Sequence, residues 1–431
     1  MQPHEPVWSQ PLWAQTAGPP PRLMPFAAGE IYDVIVIGAG ITGCSTALHL
    51  AMVGARVCVL DRLPPGGGTS GRANGQVMAE LNETPDQIIA AHGSELGERM
   101  LAFSGSAPDL VFGLIDRYRI VCQAVRAGWI EATRNDNDLK AMARRVASWA
   151  GRGAPVELLD RAAVERLVGT RVYAGGWLDR RSGTIQPLSY TRGLAQAALA
   201  SGAVLHEGVE VQRLARDGSR WRVGTAAGEV SAAAIVLATN AFTGDLAPRL
   251  RSSVIPAHGV QVATMALPPA LRSQVLPEGH AGSDVHKHFY RMDDVGRLII
   301  GGPGWLTPPS RPDATSFRLV EKALHQIFPQ LRGAPLEYRW YARGAAALDL
   351  LPHLHEPAPG VFAGLGYAGR GIAMGTAFGS LLARRALGES AAALPFPTTK
   401  LGLLPFNVAA ATRTWAKILL RRGAVRSGQT M

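Results

Sequence analysis

The 431-residue chain is 47% hydrophobic and 18% charged, and 44 Lys and Arg against 33 Asp and Glu give it a formal net charge of +11. That composition excludes a disordered chain and supplies ample core. No apolar run reaches the ~18 residues of a membrane span, and the first thirty residues lack the basic start and apolar centre of a secretory signal. Only five of the basic residues are lysine, and the arginines are scattered, which reads as solvated surface rather than a nucleic-acid stripe. Cys44, Cys58 and Cys122 have no CxxC spacing, so no disulfide framework is expected, and a reducing cytoplasm is the expected location.

Residues 1–29 read as a proline-rich leader whose Trp8 and Trp13 pack on the body. The next segment, Tyr32 to Ile37, is an apolar run short enough for a buried strand. It meets Gly38-x-Gly40-x-x-Gly43, and a helical pattern follows from Cys44 to Val53. Asp61 closes the next apolar run, 23 residues after Gly38. This order is a dinucleotide fingerprint. Gly38 permits the turn, Gly40 lets backbone N–H groups approach a pyrophosphate, and Gly43 lets the helix lie close on the sheet. The helix N-terminus favours phosphate, and Asp61 is placed to accept from a ribose diol.

Residues 84–150 read as mainly helical, interrupted by a short strand near Gly128-Trp129-Ile130. A helix is expected over 188–200, a strand over 203–206, a hairpin over 209–223 and a buried strand over 232–240. Alternation from Val254 to Ile300 predicts an antiparallel sheet, followed by a helix over 315–327. A last buried strand, 360–366, opens through Gly369-Arg370-Gly371 into a helix over 372–386. The tail, 407–422, is patterned as a basic amphipathic helix able to pack on the body or lie on a membrane.

Further motifs stand in order along the chain. They are Ser70-Gly71-Arg72-Ala73-Asn74-Gly75-Gln76; Leu237-Ala238-Thr239-Asn240 with Val254-Ile255-Pro256; Phe289-Tyr290-Arg291 leading to Gly301-Gly302; and Trp340 through Asp349 and Pro352 to Gly366-Tyr367-Ala368-Gly369-Arg370-Gly371. With the fingerprint, this set resembles the D-amino-acid-oxidase-like FAD-dependent oxidoreductases, in particular the branch of γ-glutamylputrescine oxidoreductase. The resemblance covers about residues 7–393. It implies an α/β fold of glutathione-reductase/D-amino-acid-oxidase type, in which a Rossmann-like FAD-binding domain is interleaved with an antiparallel-sheet, α+β substrate domain. The expected division is leader 1–29; FAD-binding parts 30–85, 171–258 and 343–393; substrate parts 86–170 and 259–342; and tail 394–431.

By the same resemblance, noncovalent FAD is held by Gly38, Gly40, Ile41, Thr42, Gly43, Asp61 and Arg62, and by the loop residues Thr69, Ser70, Gly71, Arg72, Asn74, Gly75 and Gln76. Val211 is expected at the adenine and Ala238 and Asn240 near the phosphates. Gly366, Gly369, Arg370, Gly371 and Ile372 are expected at the flavin. No metal is expected: His286-x-His288 lacks a third ligand, and His353-x-His355-Glu356 reads as structural. A candidate substrate wall comprises His258, His288, Tyr290, Trp340 and Tyr341, with His286, His288 and Tyr290 sharing one face of an expected strand over 285–291.

The chain departs from its relatives at two points. Glycine and D-amino-acid oxidases carry a carboxylate-holding arginine four residues after the Trp340 position, where this chain has Gly344. The sarcosine-oxidase branch carries a lysine near the flavin where this chain has Ile299. The expected reaction is oxidation of an amine C–N bond by hydride transfer to flavin, giving an imine that hydrolyses to an aldehyde, with a γ-glutamylputrescine-like substrate and oxygen or a quinone as acceptor. The alternatives are an RNA-modifying flavoprotein and a peripheral membrane dehydrogenase. Neither a nucleic-acid partner nor a transmembrane segment is expected, and the sequence specifies no oligomeric state.

Overall fold

A computed structural model describes residues 11–304 and 314–401. The continuous apolar runs of the sequence become parallel strands covered on both faces. In the first eight-stranded sheet the order is His353–Ala358, Val361–Leu365, Gly228–Leu237, Ile31–Ile37, Val57–Leu60 and Val204–His206. From Val361–Leu365 onward these neighbours are all parallel, with Val34 facing both Val57 and Ala234. The edge strand His353–Ala358 is antiparallel. The hairpin Val211–Asp217 and Arg220–Thr225 completes this sheet through an antiparallel pairing to Gly228–Leu237.

The alternating segments form a second eight-stranded sheet, ordered Leu336–Ala346, Ile255–Thr264, Leu298–Pro303, Phe289–Met292, Ala281–Asp284, Trp129–Thr133, Gly175–Asp179 and Val156–Leu159. It is antiparallel as expected, save that Ala281–Asp284 runs parallel to Trp129–Thr133. The chain visits the two sheets in turn: first at 31–60, second at 129–179, first at 204–237, second at 255–346, and first again at 353–365.

The helix Ile41–Ala51 is apolar nearly all round because it is enclosed by the first sheet and by the helices Pro187–Ala200 and Ala373–Ala386. Gly379 faces Ser45 so closely that a Cβ would overlap its side chain, and Ser45 donates to the Thr376 carbonyl at 2.7 Å. The expected helix over 315–327 is Ala314–Ile327. The helix Ser94–Tyr118 contains Pro108, which cannot donate to the carbonyl four residues back. That carbonyl, on Ser104, is met instead by the Glu80 N–H at 3.3 Å.

One expected strand is corrected. Residues 285–288 form the turn of a hairpin between Ala281–Asp284 and Phe289–Met292, with Lys287 at φ +69°. The turn breaks the period of two, so His286, His288 and Tyr290 do not share a face. No helix among the described residues is long and apolar enough to cross a membrane. The tail pattern at 407–422 lies outside the described residues, as does Trp8.

Candidate active site

The carboxyl ends of the parallel strands face a cavity of about 1640 Å³, where open α/β sheets hold ligands. It exceeds the roughly 300–1,000 Å³ of a pocket for one drug-sized ligand, so a dinucleotide and a second molecule can share it. The turns after the strands line one side: Gly38, Gly40, Ile41 and Thr42 after Ile31–Ile37, then Asp61 and Arg62 after Val57–Leu60. Ala238 and Asn240 follow Gly228–Leu237, and Gly369, Arg370, Gly371 and Ile372 follow Val361–Leu365. Val211 lines the end beside Arg62.

The glycines of the fingerprint answer to contacts. Gly38 has φ +110°, and a Cβ there would stand 2.9 Å from the Ala238 oxygen. On Gly40 a Cβ would meet Ser70 Oγ at 2.9 Å, and on Gly43 it would overlap the Gly38 carbonyl oxygen. Gly43 therefore shapes the turn from behind without lining the cavity. The Asp61 carboxylate accepts from the Ala39 N–H at 2.6 Å and the Leu63 N–H at 2.9 Å. Burial raises its pKa, and those two N–H groups pull it partly back.

Thr69, Ser70, Asn74, Gly75 and Gln76 also line the cavity, whereas Gly71 and Arg72 are the loop's fastening points. The Arg72 carbonyl accepts from Trp340 Nε1 at 3.0 Å and Gln261 Nε2 at 2.8 Å, and the Ala73 carbonyl accepts from Trp13 Nε1 at 2.7 Å. Gly71 lies against the Gly66 carbonyl, which accepts its N–H at 2.9 Å. Asn74 Oδ1 is buried and lacks a hydrogen-bond partner. A buried acceptor without a partner, on a loop whose Gly75 has no room for a side chain, fits a bound ring bearing N–H groups. Asn240 adopts φ +41° and accepts the Gly366 N–H on Oδ1 at 3.2 Å, so Gly366 is held beside the cavity rather than on its wall.

The opposite side belongs to the antiparallel sheet. His258, with 8% of its surface exposed, lines the cavity beside Ala257, Gly259 and Gln261. Gly344 lies on the neighbouring strand, with Ala257 opposite it in register. Gly344 presents no side chain to the cavity. Arg343 packs over Phe242 at 5.3 Å and gives its carbonyl to the Thr69 hydroxyl. Tyr341 stands beside His258, ring centroids 6.2 Å apart, but does not line the cavity.

Three other wall candidates are corrected. Tyr290 is fully buried in the core of the second sheet, against Phe328 and within 3.5 Å of the Tyr173 hydroxyl. Trp340 is fully buried behind the flavin-loop candidate, edge-on to Trp13 at 6.1 Å. His288 is turned to an outer recess with Leu319 and Val320, its Nδ1 3.1 Å from Asp284 Oδ2. Phe289 and His286 line the cavity instead.

Sequence reasoning passed over several wall residues. Gln261 carries a usable signal, an amide buried within the apolar stretch Val260 to Ala263. The Glu80 cluster carried none: its members come from distant segments. Glu80 Oε2 accepts from Arg145 at 2.8 Å and from Trp149 Nε1 at 3.2 Å, and Oε1 pairs with Arg370 at 3.2 Å. Glu131, which accepts from Trp177 Nε1 at 3.2 Å, lines the cavity beside Arg145 and Trp129. His353 and His355 are structural: His353 bonds Thr399 Oγ1 and Asp349, each at 3.0 Å, and His355 Nδ1 lies 2.8 Å from the Thr399 carbonyl oxygen. No group of three or more potential metal ligands occurs among the described residues.

Known proteins resemble this chain in sequence and in fold. Gamma-glutamylputrescine oxidoreductase of Escherichia coli is 30% identical over 362 residues, covering 83% of this chain and 84% of its own. Glycine oxidase of Geobacillus kaustophilus is 27% identical over 363 residues, covering 82% of this chain and 92% of its own. Among solved structures, a glycine oxidase from the same organism superposes with a TM-score of 0.72 over 86% of this chain and 99% of its own, at 24% identity. Residues 33–385 match the model of the DAO family, described as FAD dependent oxidoreductase. The chain therefore belongs to the DAO family of FAD-dependent oxidoreductases.

Proposed function

We propose that this enzyme oxidises an amine whose reacting carbon carries no carboxylate held from the Gly344 position, with a γ-glutamylated diamine such as γ-glutamylputrescine as the first candidate. The observation that carries this reading is the bare wall at Gly344, facing the strand that bears His258. The likeness to gamma-glutamylputrescine oxidoreductase supports the substrate class. When bound, FAD would supply the hydride acceptor, so that the C–H next to nitrogen could give up its hydrogen with the bonding pair while the nitrogen lone pair forms the C=N bond.

The residues proposed to hold FAD without a covalent bond are those of the strand-end turns and of the 69–76 loop. Asp61 would take the ribose, and the turn at Gly38 and Gly40 the pyrophosphate. Val211 would meet the adenine, and Asn74 would give its buried acceptor to the ring. His258 is the proposed proton acceptor that keeps the amine neutral, because hydride leaves only when the nitrogen lone pair is free. The antiparallel sheet excludes water from one side of the substrate. Oxygen or a quinone would reoxidise the enzyme, and the cytoplasm is the proposed location.

The test is an anaerobic titration of the flavin spectrum with γ-glutamylputrescine and simpler amines, followed by air. Bleaching by the γ-glutamylated amine but not by glycine is expected. Bleaching by glycine alone would overturn the substrate class. Rapid recovery in air with peroxide would make oxygen the acceptor, and slow recovery accelerated by a quinone would make it the quinone.

A further inference from the structure

The Arg291 side chain is 1% exposed, in the layer directly behind the 69–76 loop. Its Nη1 donates to the Ile185 carbonyl, and its Nε donates to the Met292 carbonyl at 3.3 Å. The guanidinium lies 5.4 Å from the centre of the Trp13 ring. No carboxylate lies within 4.0 Å of it among the described residues; Asp293, the acid whose charge it feels most, is itself paired with Arg297 at 3.3 Å. Across the strand pair it stands opposite Ile299, which is fully buried. Burial pulls its pKa down to about 10, which still leaves it charged at neutral pH.

A buried cation without a counter-ion is costly, and the direction in which this one points explains its retention. A Cβ on Gly75 would overlap Arg291 Nη1, so only the thickness of that glycine separates the guanidinium from the cavity. The Gly75 carbonyl is tied to the Ile185 N–H at 2.8 Å, so the same short stretch holds both the loop and the arginine. Hydride transfer to a flavin held here would add one negative charge to the site. In a low-dielectric setting a fixed charge one residue away acts strongly on that change.

We propose that Arg291 is the buried counter-charge of the reduced cofactor, acting through the backbone of Gly75 to favour the reduced over the oxidised flavin. It is a positioning residue of electrostatic kind and touches no substrate. The proposal rests on the assignment of the 69–76 loop to the flavin, and on no particular amine.

The test is the two-electron midpoint potential of bound FAD, set against a reference dye with a chemical reductant so that no substrate enters. Arg291→Gln is expected to shift the oxidised/reduced equilibrium at least tenfold toward the oxidised form, about 30 mV for a two-electron couple. Arg291→Lys, which keeps a cation, is expected to retain at least half of the effect on the logarithmic scale. An unchanged potential in Arg291→Gln overturns the proposal and leaves Arg291 a structural clamp. If neither variant folds, photoreduction of the unaltered holoenzyme decides: the red anionic semiquinone is expected, and the blue neutral form at pH 7 overturns it. Failure of every amine to bleach the flavin would sink the proposed substrate and leave these potentials unaffected.

Discussion

The parallel sheet meets the cavity with short turns of small residues, each following its own strand: Gly38 to Thr42, Asp61, Ala238 and Gly369 to Ile372. The antiparallel sheet meets it with side chains, His258, Gln261 and Phe289, from strands that become neighbours only by pairing. The first side depends on backbone geometry within a dozen residues of sequence. The second depends on register and turn position across the whole sheet. The turns proposed to hold the cofactor can therefore persist while the wall differs, since substituting a wall side chain leaves the turns in place.

The joint between the two sides is the test of how separate they are. Glu80 connects Arg370, beside the last strand-end turn, to Arg145 on the helix Asp136–Ala150. Glu80→Ala would leave two buried arginines without their carboxylate and is expected to cost about 3–5 kcal/mol, read as a fall in unfolding midpoint. A smaller loss in which only substrate turnover changes would mean that the joint belongs to the wall alone.

On the turn side, Gly43→Ala sets a methyl against the Gly38 carbonyl and is expected to cost about 1–3 kcal/mol, with purified protein lacking bound flavin. Asp61→Asn removes a charge that accepts two N–H groups, so FAD affinity should fall by about 1.5–3 kcal/mol, more than tenfold. On the wall side, Trp340→Phe breaks one bond to the Arg72 carbonyl, worth about 1 kcal/mol. It should lower stability while leaving the rate of flavin reduction by substrate unchanged. A large loss of that rate would return Trp340 to the reacting centre. The smallest effect concerns the thiols: burial pushes Cys58 and Cys122 up to about 12 and Cys44 higher still. All three should resist alkylation in native protein and react only on unfolding.

The same contrast explains what the sequence revealed. The fingerprint, the helix over 188–200 and the last strand were readable because each signal is local: a period, a glycine spacing or an acid at the end of a run. The wall differs from the expectation at residues 285–288 for a reason of geometry. There a turn with Lys287 in the left-handed region replaced two strand residues, so Phe289 rather than His288 faces inward. Trp340 was misplaced for another reason: an aromatic near a loop reads alike whether it faces the ligand or braces the loop from behind. Arg291 stands inside a recognised motif, yet its lack of a carboxylate partner among the described residues is a fact of three dimensions.

The two tryptophans that fasten the 69–76 loop carry a consequence for synthesis of the chain. Trp13 grips the Ala73 carbonyl and Trp340 the adjacent Arg72 carbonyl, and the two rings meet edge to face. A ribosome releases these anchors more than three hundred residues apart. The loop therefore lacks one of its two tryptophan anchors while the strand Leu336–Ala346 is still unmade. Closure of this loop is thus expected late in the biogenesis of the chain, and a ribosome stalled before residue 336 is expected to display a nascent chain whose 69–76 loop is unfastened on its Trp340 side.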